Sequence, residues 1–547
     1  MFLPRVPYGY FKGVILVCAL LVVTVLSLIH RAYDTPPTAN KLPEGGTQHW
    51  HDYNGTAPLA QSDEIRHLQS LVQKHDLTKQ VTWFARRVQP KYSARKRLSM
   101  TESTLQFAPD DFARARVDDE GLRLEPSEKT LKLEASRSSK PDEIDASALL
   151  FGISSSYSRV VYSDYAMIQD WARWLTDGKR TSNGARLVLA LQDADRSEVE
   201  HVGQMLRVAG ISASVLSSQE RQDTGARYLD LLGALMRQAS GDDTTTEFLA
   251  LVDDDVFFPS LSRLLRKLRK LESEKAYYVG VPSERSDWAV ENTIPMTYGG
   301  GAVFLSRSMA QQLSELSCLK ETGRTEDTES GDQWDAELHK CISQNTDAKL
   351  HVLPSFYSPQ DDLIYGRQGI TYDGYGGGIQ PLALHHYRNW HRFEAGRAHL
   401  VASACGEDCF LQRYLFGDGW VLVNGYTIAQ YPDGVEAMAL SNGGSSPVLA
   451  QQQSRDADGS PAAADRLVIE NDRERTADMK VVAWRGRKRT WRLLDSWVAD
   501  DGEVWQAYVR RKEGGNSYGD GDDRVPGDDV HAEEEKTDVD SVIFLIW

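Results

Sequence analysis

The sequence has few cysteines, no excess of positive charge and one long apolar run. Five cysteines in 547 residues are too few for a disulfide-rich scaffold. The 62 Lys and Arg residues against 79 Asp and Glu residues give a net charge of −17, which argues against a broad nucleic-acid-binding surface. The content of 41% hydrophobic and 26% charged residues excludes a wholly disordered protein, a collagen-like protein and a multi-pass membrane protein. Its length predicts about three or four structural units.

The apolar run is Gly13–Ile29, whose 17 residues carry no charge. A helix of this length spans about 25 Å, which is adequate for a thin early-secretory membrane. Arg5 and Lys12 precede the run and favour a cytosolic N-terminus. A cleaved signal peptide is the alternative, but the run is longer than the usual signal-peptide core and no Ala-x-Ala site follows. We therefore expect a retained anchor, with everything after Ile29 in the lumen.

A lumenal location affects glycosylation and the cysteines. A glycosylation sequon begins at Asn54, and Cys18 lies within the apolar run, which leaves four cysteines downstream. In an oxidising compartment four cysteines can form two disulfides, in three possible pairings. A zinc site is the alternative, but no second close Cys/His pair has suitable ligand spacing. The pairing that we favour is Cys318–Cys341 with Cys405–Cys409.

Hydrophobic patterns divide the remaining chain. Residues 30–140, which are rich in Pro, Ser and charge, predict a solvated stem with a little helix near Leu68–His75. Over residues 141–404, short apolar runs alternate with amphipathic helical patterns. This alternation predicts βαβ units, and so an α/β fold with a mostly parallel sheet covered by helices on both faces. The predicted strands are Leu149–Ile153, Leu187–Leu191, Ser214–Leu216 and Phe248–Val252.

The alternation stops after residue 404, and short Trp-containing segments predict a β-rich C-terminal region over residues 405–547. Two spacers, Ser441–Asp465 and Glu513–Asp540, have the composition of exposed, flexible loops. The role of this region stays open between ligand binding and a structural cap. The complete predicted division is a cytosolic tail (1–12), an anchor (13–29), a stem (30–140), an α/β domain (141–404) and the C-terminal region (405–547). The predicted C-terminal strands are Trp420–Val423, Lys480–Trp484, Trp491–Trp497, Val504–Val509 and Val542–Trp547.

Three consecutive aspartates, Asp253, Asp254 and Asp255, directly follow the predicted strand Phe248–Val252. In α/β sheets ligands bind at the carboxyl ends of strands, so carboxylates there face the crevice. Three adjacent negative charges are costly unless they share a cation, and hard divalent ions such as Mn²⁺ or Mg²⁺ suit carboxylate oxygens. The alternative is a solvated acidic turn that caps the following helix.

Three later motifs also offer ligand-binding groups. The glycines Gly299–Gly301 precede an apolar strand, where they either let the backbone approach a phosphate or sugar hydroxyl or form a tight turn. Asp332 precedes a predicted helix and is either its cap or a general base. The adjacent His385 and His386 follow an apolar strand and include a candidate metal ligand.

In this order, the motifs resemble those of the Fringe-like, family-31 β-1,3-glycosyltransferases. The likeness is closest to the Fringe-related fungal and plant branch formerly catalogued as a domain of unknown function, and it covers roughly residues 145–400. The segments that carry it are FGISSSYSR, LVDDDVFFPSL, YGGGAVFLS, GDQWDAELHKCI and LHHYRNWH, with WFARRVQP in the stem.

The resemblance implies a GT-A-like, Rossmann-type fold and a type II Golgi membrane enzyme with a lumenal catalytic domain. Such enzymes transfer a sugar from a UDP-sugar to a glycan or glycoprotein with inversion, and they use Mn²⁺ or another divalent cation. By this resemblance Asp332 is the catalytic base, and the metal ligands are Asp253, Asp255 and His385. The donor-binding residues that it implies are Ser154, Ser155, Ser156, Asp253, Asp254, Gly299, Gly300 and Gly301.

Several alternatives stay open. Gln-Trp-Asp follows Asp332, without the second acidic residue of many relatives, so Asp335 competes as the base. His386 competes with His385 as the ligand, and the segment 343–383 is a candidate lid. The alternative functions are a catalytically silent lumenal carbohydrate-binding protein and a metal-dependent phosphoester hydrolase. The sugar, acceptor and linkage depend on pocket shape, which the sequence does not specify.

Overall fold

The described residues of the computed structural model belong to one compact unit, Ala57–Trp547. They are residues 63–109, 112–118, 127–218, 224–240, 245–280, 301–316, 318, 334–353, 356–357, 380–388, 394–439, 467–469, 480–484, 486–512 and 537–547. Within these ranges, no helix combines the length and the apolar character needed to cross a membrane. The predicted anchor Gly13–Ile29 and the sequon at Asn54 lie outside them, as do Ser441–Asp465 and most of Glu513–Asp540.

The helices and strands are numbered here in chain order. The helices are α1 (Asp63–Lys74), α2 (Tyr157–Leu175), α3 (Arg196–Val208), α4 (Thr224–Ala239), α5 (Leu261–Leu268), α6 (Arg307–Glu315), α7 (Trp334–Asn345), α8 (Ala395–Ala398) and α9 (Val401–Cys405). The strands of the first half are β1 (Gln80–Ser93), β2 (Thr101–Ser103), β3 (Ala113–Arg116), β4 (Ser127–Ser136), β5 (Leu149–Ser156), β6 (Arg186–Gln192), β7 (Ala213–Ser218), β8 (Phe248–Val252), β9 (Val256–Phe257), β10 (Tyr278–Gly280) and β11 (Ala302–Ser306). The later strands are β12 (Leu350–Val352), β13 (Phe356–Tyr357), β14 (Ala383–His385), β15 (Arg413–Phe416), β16 (Trp420–Val423), β17 (Thr427–Gln430), β18 (Val435–Ala439), β19 (Leu467–Ile469), β20 (Lys480–Trp484), β21 (Arg489–Val498), β22 (Val504–Arg510) and β23 (Asp540–Ile546).

An eight-stranded sheet has the order β19-β12-β10-β11-β8-β5-β6-β7. Its strands are parallel except for β11, which runs antiparallel to both β8 and β10. Successive residues of β5 pack on opposite faces: Phe151 joins the core beneath α2, α3 and α5, whereas Leu150 joins the core beneath α4, α6 and α7. The predicted mostly parallel sheet with helices on both faces is confirmed. The prediction succeeded because a strand buried on both sides needs continuous apolar runs, which the sequence shows.

A second sheet of ten strands joins the two ends of the described chain. Its order is β2-β15-β16-β17-β21-β22-β23-β1-β3, with β4 also paired to β1. The predicted C-terminal strands are present, so the β-rich character of that region is confirmed. Both disulfides that we favoured, Cys318–Cys341 and Cys405–Cys409, are also present.

The interpretation of residues 80–109, 112–118 and 127–136 as part of a solvated stem is wrong. Strand β1 lies inside the second sheet, parallel to β23 on one side and to β4 on the other. The charged residues of β1 led to the prediction of a solvated segment. In the structure, however, Arg86 is only 7% exposed, and its Nε donates a 2.8 Å hydrogen bond to the carbonyl of Phe107. Helix α1 confirms the predicted helix near Leu68–His75. The domain boundaries at residues 140 and 404 stay a prediction.

Candidate active site

The three aspartates lie at the carboxyl end of β8, where the parallel strands of the first sheet end. Strand β8 is fully buried up to Val252, and the Asp253 N–H then donates a 2.7 Å hydrogen bond to the carbonyl of Gly301, just before β11. This contact fixes the direction in which the chain leaves the sheet. The side chains of Asp253 and Asp255 are 29% and 17% exposed, so both are partly accessible from the crevice.

Two histidines from a distant part of the chain reach these carboxylates. Strand β14 pairs antiparallel with β9, which places His385 opposite Val256. The Nε2 atom of His385 lies 3.3 Å from Asp253 Oδ2 and 3.4 Å from Asp255 Oδ1, and Nδ1 of His386 lies 2.8 Å from Asp255 Oδ2. The structure thus brings together the three predicted metal ligands and adds His386. We call these four residues the Asp–His cluster.

A backbone turn directs both histidines to the same side. Successive side chains of an extended strand point to opposite faces. His386 instead has φ of 53°, in the left-handed region, and its ring lies 3.7 Å from that of His385 at an interplanar angle of 23°. The left-handed turn therefore allows two neighbouring imidazoles to approach the single carboxylate of Asp255.

The residues that follow this turn are held by Asp170 of helix α2, which is 3% exposed. Its Oδ2 accepts hydrogen bonds from the Tyr387 hydroxyl and from Arg388 Nε, the latter at 3.1 Å, and its Oδ1 accepts from the Gly396 N–H at 2.9 Å. Burial raises the pKa of Asp170, and the charge of Arg388 opposes this rise. We call this arrangement the Asp170 clamp, and it fixes the chain next to His386.

Gly301 provides the space that His385 occupies. It has φ of +77°, and a Cβ atom at this position would lie 2.5 Å from Val256 Cγ2 and 2.7 Å from His385 Cδ2. A glycine is therefore required here both for the backbone conformation and for the position of the imidazole. Gly299 and Gly300, the other two glycines of the motif, lie outside the described residues.

Two aromatic residues that the sequence did not indicate orient Asp253. The Tyr228 hydroxyl and Trp334 Nε1 each donate a 2.9 Å hydrogen bond to Asp253 Oδ1, which leaves Oδ2 directed at His385. Their rings stack at 4.3 Å with 10° between the planes. Burial, together with the nearby carboxylates, raises the pKa of Tyr228 well above its usual value, so its hydroxyl remains a donor. Their spacing in the sequence matches ordinary helix faces and gives no sign of this role.

Asp254 is directed away from the Asp–His cluster. Arg159 holds its carboxylate with two nitrogens, Nε at 2.8 Å to Oδ2 and Nη2 to Oδ1, and Ser155 Oγ donates to Oδ2. Burial raises the pKa of Asp254, and the bonds from Arg159 and Ser155 oppose this rise. Ser156 caps α2 by accepting from the Arg159 N–H, and Ser154 is partly buried at the end of β5. Two of the three predicted donor-binding serines thus hydrogen-bond within the protein.

The carboxylates of Asp253 and Asp255 provide the negative charge that would balance a divalent cation. Burial opposes ionisation of Asp255, but the neighbouring imidazoles of His385 and His386 hold the pKa of that carboxyl well below its usual range. Arg159 neutralises Asp254, which leaves the negative charges of Asp253 and Asp255. Two carboxylates with two imidazoles form a donor set of oxygen and nitrogen atoms that fits a divalent ion such as Mn²⁺.

Of the two candidates for the catalytic base, Asp332 and Asp335, the structure describes only Asp335. Asp332 lies outside the described residues, two positions before Trp334 in the sequence. Asp335, the alternative, lies on α7 and is 8% exposed. Of the candidate lid at 343–383, the longest stretch outside the described residues is 358–379, so its role stays a prediction.

No protein-family model matches this chain, and no curated protein matches it. Among solved structures, the glycosyltransferase GlyE of Streptococcus pneumoniae TIGR4 is 18% identical over 46% of this chain, with a TM-score of 0.26; the chain covers 58% of GlyE, less than two thirds of its length. The galactosyltransferase LgtC, solved with donor and acceptor sugar analogues, is 11% identical over 43% of this chain and 86% of its own, with a TM-score of 0.26. A glycosyltransferase involved in glycosylation of the major capsid of PBCV-1 is 9% identical over 45% of this chain and 98% of its own, with a TM-score of 0.25. These three neighbours are glycosyltransferases, and their TM-scores are low.

Proposed function

We propose that this protein is a metal-dependent glycosyltransferase that transfers a sugar from a UDP-sugar to a glycan or glycoprotein acceptor. The observation that carries the proposal is the convergence of Asp253, Asp255 and His385 at the carboxyl end of a strand in a mostly parallel sheet. Nucleotide-containing ligands bind at such strand ends in α/β folds. The Fringe-like motifs support the finer assignment to a GT-A-like fold of family 31.

In this mechanism the protein holds the diphosphate of the donor at the Asp–His cluster. Asp253, Asp255 and His385 would bind the cation, Mn²⁺ by the resemblance, and Tyr228 and Trp334 keep Asp253 turned toward it. When bound, a divalent cation neutralises the diphosphate and stabilises the charge that develops on the UDP leaving group.

Arg159 provides a second positive group on the same side of the sheet. Its side chain is 58% exposed although Asp254 holds Nε and Nη2, and its pKa is raised by Asp254 and, further away, by Asp255. A fixed guanidinium that is partly open to solvent beside the cluster can donate hydrogen bonds to phosphate oxygens. We therefore assign Asp254 the role of orienting Arg159 toward the donor, rather than that of a metal ligand.

Asp332 is the proposed general base. It would accept the proton of the acceptor hydroxyl while that oxygen attacks the anomeric carbon from the face opposite to UDP. This single displacement inverts the configuration and needs no enzyme nucleophile. The burial of Asp335 favours Asp332 in this role. The resemblance also supports a β-1,3 linkage and a type II Golgi location, with residues 13–29 as the anchor and the catalytic domain in the lumen.

The proposal is tested by release of UDP from a panel of UDP-sugars by the full chain in the presence of glycan and glycoprotein acceptors, with Mn²⁺ and with EDTA. We expect release with Mn²⁺ for at least one sugar, its loss in EDTA, and its loss in Asp255→Asn. The matched control is Asp142→Asn, which changes an exposed carboxylate paired with Lys179. Inorganic phosphate instead of UDP would indicate a phosphoester hydrolase, and glycan binding without any release would indicate a silent carbohydrate-binding protein.

A further inference from the structure

Beside the three proposed metal ligands, the side chain of His386 offers a further ligand atom next to Asp255. One ligand atom from each of Asp255, His385 and His386 can be chosen so that all three lie within 4.8 Å of one another. This trio is the one His/Cys/Asp/Glu group of its kind in the part of the chain that the structure describes. Such spacing lets three atoms share one ion, since bonds of about 2.0–2.2 Å place neighbouring ligand atoms within that range.

The backbone at His386 is specialised for this arrangement. Non-glycine residues with φ near +53° are uncommon, and they persist where the surrounding structure holds them in place. The Asp170 clamp holds the next two residues, Tyr387 and Arg388, and so fixes the turn from the C-terminal side. On the N-terminal side, the pairing of His385 with Val256 fixes the strand. The conformation therefore has support from both directions, and its direct consequence is that His386 faces Asp255 beside His385.

We propose that His386 is a fourth metal ligand, together with Asp253, Asp255 and His385, so that the site binds its cation through two carboxylates and two imidazoles. This inference rests on the metal-dependent function proposed above. His386 Nδ1 and Asp255 Oδ2 lie 2.8 Å apart, close enough for both to bind one cation. Imidazole nitrogen favours first-row transition ions over Mg²⁺, which prefers oxygen ligands and retains its waters. The site consequently selects ions such as Mn²⁺ or Co²⁺ over Mg²⁺.

The variant that best separates a metal-ligand role of His386 from a hydrogen-bonding role is His386→Asn. An asparagine amide can still donate to Asp255 from about the position of Nδ1, and asparagine tolerates the left-handed region better than most residues, but it offers no imidazole nitrogen to a metal. If His386 only orients Asp255 through a hydrogen bond, asparagine replaces it. If His386 is a ligand, asparagine does not. His385→Gln serves as the reference for loss of a ligand. The matched control is His75→Gln, since His75 Nε2 lies 3.5 Å from a carboxylate oxygen of Asp495, outside the Asp–His cluster.

The experiment titrates the full chain, freed of metal with EDTA, with Mn²⁺, Co²⁺ and Mg²⁺ by calorimetry, and records the visible spectrum of bound Co²⁺. We expect His386→Asn to weaken Mn²⁺ and Co²⁺ binding about tenfold or more, to change Mg²⁺ binding much less, and to alter the Co²⁺ spectrum as a nitrogen ligand is lost. His75→Gln should behave as the wild type. Wild-type affinities and spectrum in His386→Asn, with binding lost in His385→Gln, would overturn the assignment of His386.

Two further outcomes separate this inference from the proposed function. If the wild-type chain binds none of the three ions, both the ligand assignment and the metal dependence of the proposed transfer fail. If the ions bind as expected but the wild type releases no UDP from any UDP-sugar, the assignment of His386 is supported while the glycosyltransferase proposal is overturned.

Discussion

Gly301 and His385 are packed so closely that the site depends on the absence of a side chain at position 301. A Cβ atom there would lie 2.7 Å from His385 Cδ2 and 2.9 Å from Cγ. The third glycine of the motif, Gly301, therefore leaves the space that the imidazole of His385 occupies in the Asp–His cluster.

We expect Gly301→Ala to displace His385 and to lower Mn²⁺ affinity at least tenfold, because a metal ligand moves. The strained backbone conformation adds about 1–3 kcal/mol of destabilisation. Calorimetric Mn²⁺ titration and urea unfolding measure the two effects. The control is Gly502→Ala, which has φ of +87° but no atom within 4 Å of an added Cβ, so it tests strain without the clash. Equal Mn²⁺ affinity in both variants would contradict the proposed packing role.

The Asp170 clamp should control both stability and the metal site. Asp170→Asn leaves the partly buried Arg388 with a neutral partner, and we expect a loss of about 3 kcal/mol in the free energy of unfolding. We also expect weaker Mn²⁺ binding, because the turn at His386 is released. Tyr387→Phe removes only one hydroxyl bond to Asp170 and should cost about 1 kcal/mol. Urea unfolding of both variants tests the predicted order of stability loss. Mn²⁺ titration tests the link to the metal site, which an unchanged Mn²⁺ affinity in Asp170→Asn would refute.

Arg159 should affect the donor rather than the metal. Arg159→Gln removes the guanidinium that Asp254 orients, and we expect KM for the UDP-sugar to rise about tenfold or more while Mn²⁺ affinity changes little. Steady-state kinetics and calorimetry separate the two quantities. Arg196→Gln is the control, because Arg196 is 94% exposed in a surface pair with Glu200. A parallel loss of Mn²⁺ affinity in Arg159→Gln would place Arg159 in the support of the cation instead.

Glu407 predicts a pH dependence of stability. It is 3% exposed and accepts hydrogen bonds at the start of α5 from Ser260, Leu261 and Ser262, and burial raises its pKa from 4.5 to about 7. Because the folded state binds this proton more tightly than the unfolded state, the contribution of Glu407 to stability decreases as the pH rises from about 4.5 to 7. The full change is on the order of 3 kcal/mol.

Urea unfolding at several pH values between 4.5 and 8 tests this prediction by comparison with Glu407→Gln, which does not titrate. The difference in the free energy of unfolding between the wild type and the variant should become less favourable to the wild type as the pH rises. The control is Glu503→Gln, whose side chain is 31% exposed and pairs with Arg87. A difference that stays constant with pH would show that Glu407 does not titrate in this range.

Much of the first sheet could be predicted because its signal is local. The run Phe248–Val252 is apolar at every position, as a strand covered on both faces must be, and the aspartates after it mark the edge where ligands bind. The favoured disulfide pairing, one of the three that four cysteines allow, is also present in the structure. Strand β1 was missed because its local sequence misleads: two adjacent arginines are typical of a solvated segment. Only the tertiary structure shows that Arg86 is buried and bonded to a main-chain carbonyl.

The sequence by itself determined which segments are strands and helices around the site. It also determined which residue types are available there: three aspartates after β8, a histidine pair at the end of β14 and a glycine before β11. Only the tertiary structure decided how they are used. It turned Asp254 toward Arg159, 95 positions away, and placed Trp334 on Asp253, 81 positions away. It also brought both histidines to Asp255 through a left-handed turn. The reason is physical: hydrophobic periodicity is a property of neighbouring residues, whereas the direction of a side chain depends on contacts between segments that are distant in the chain.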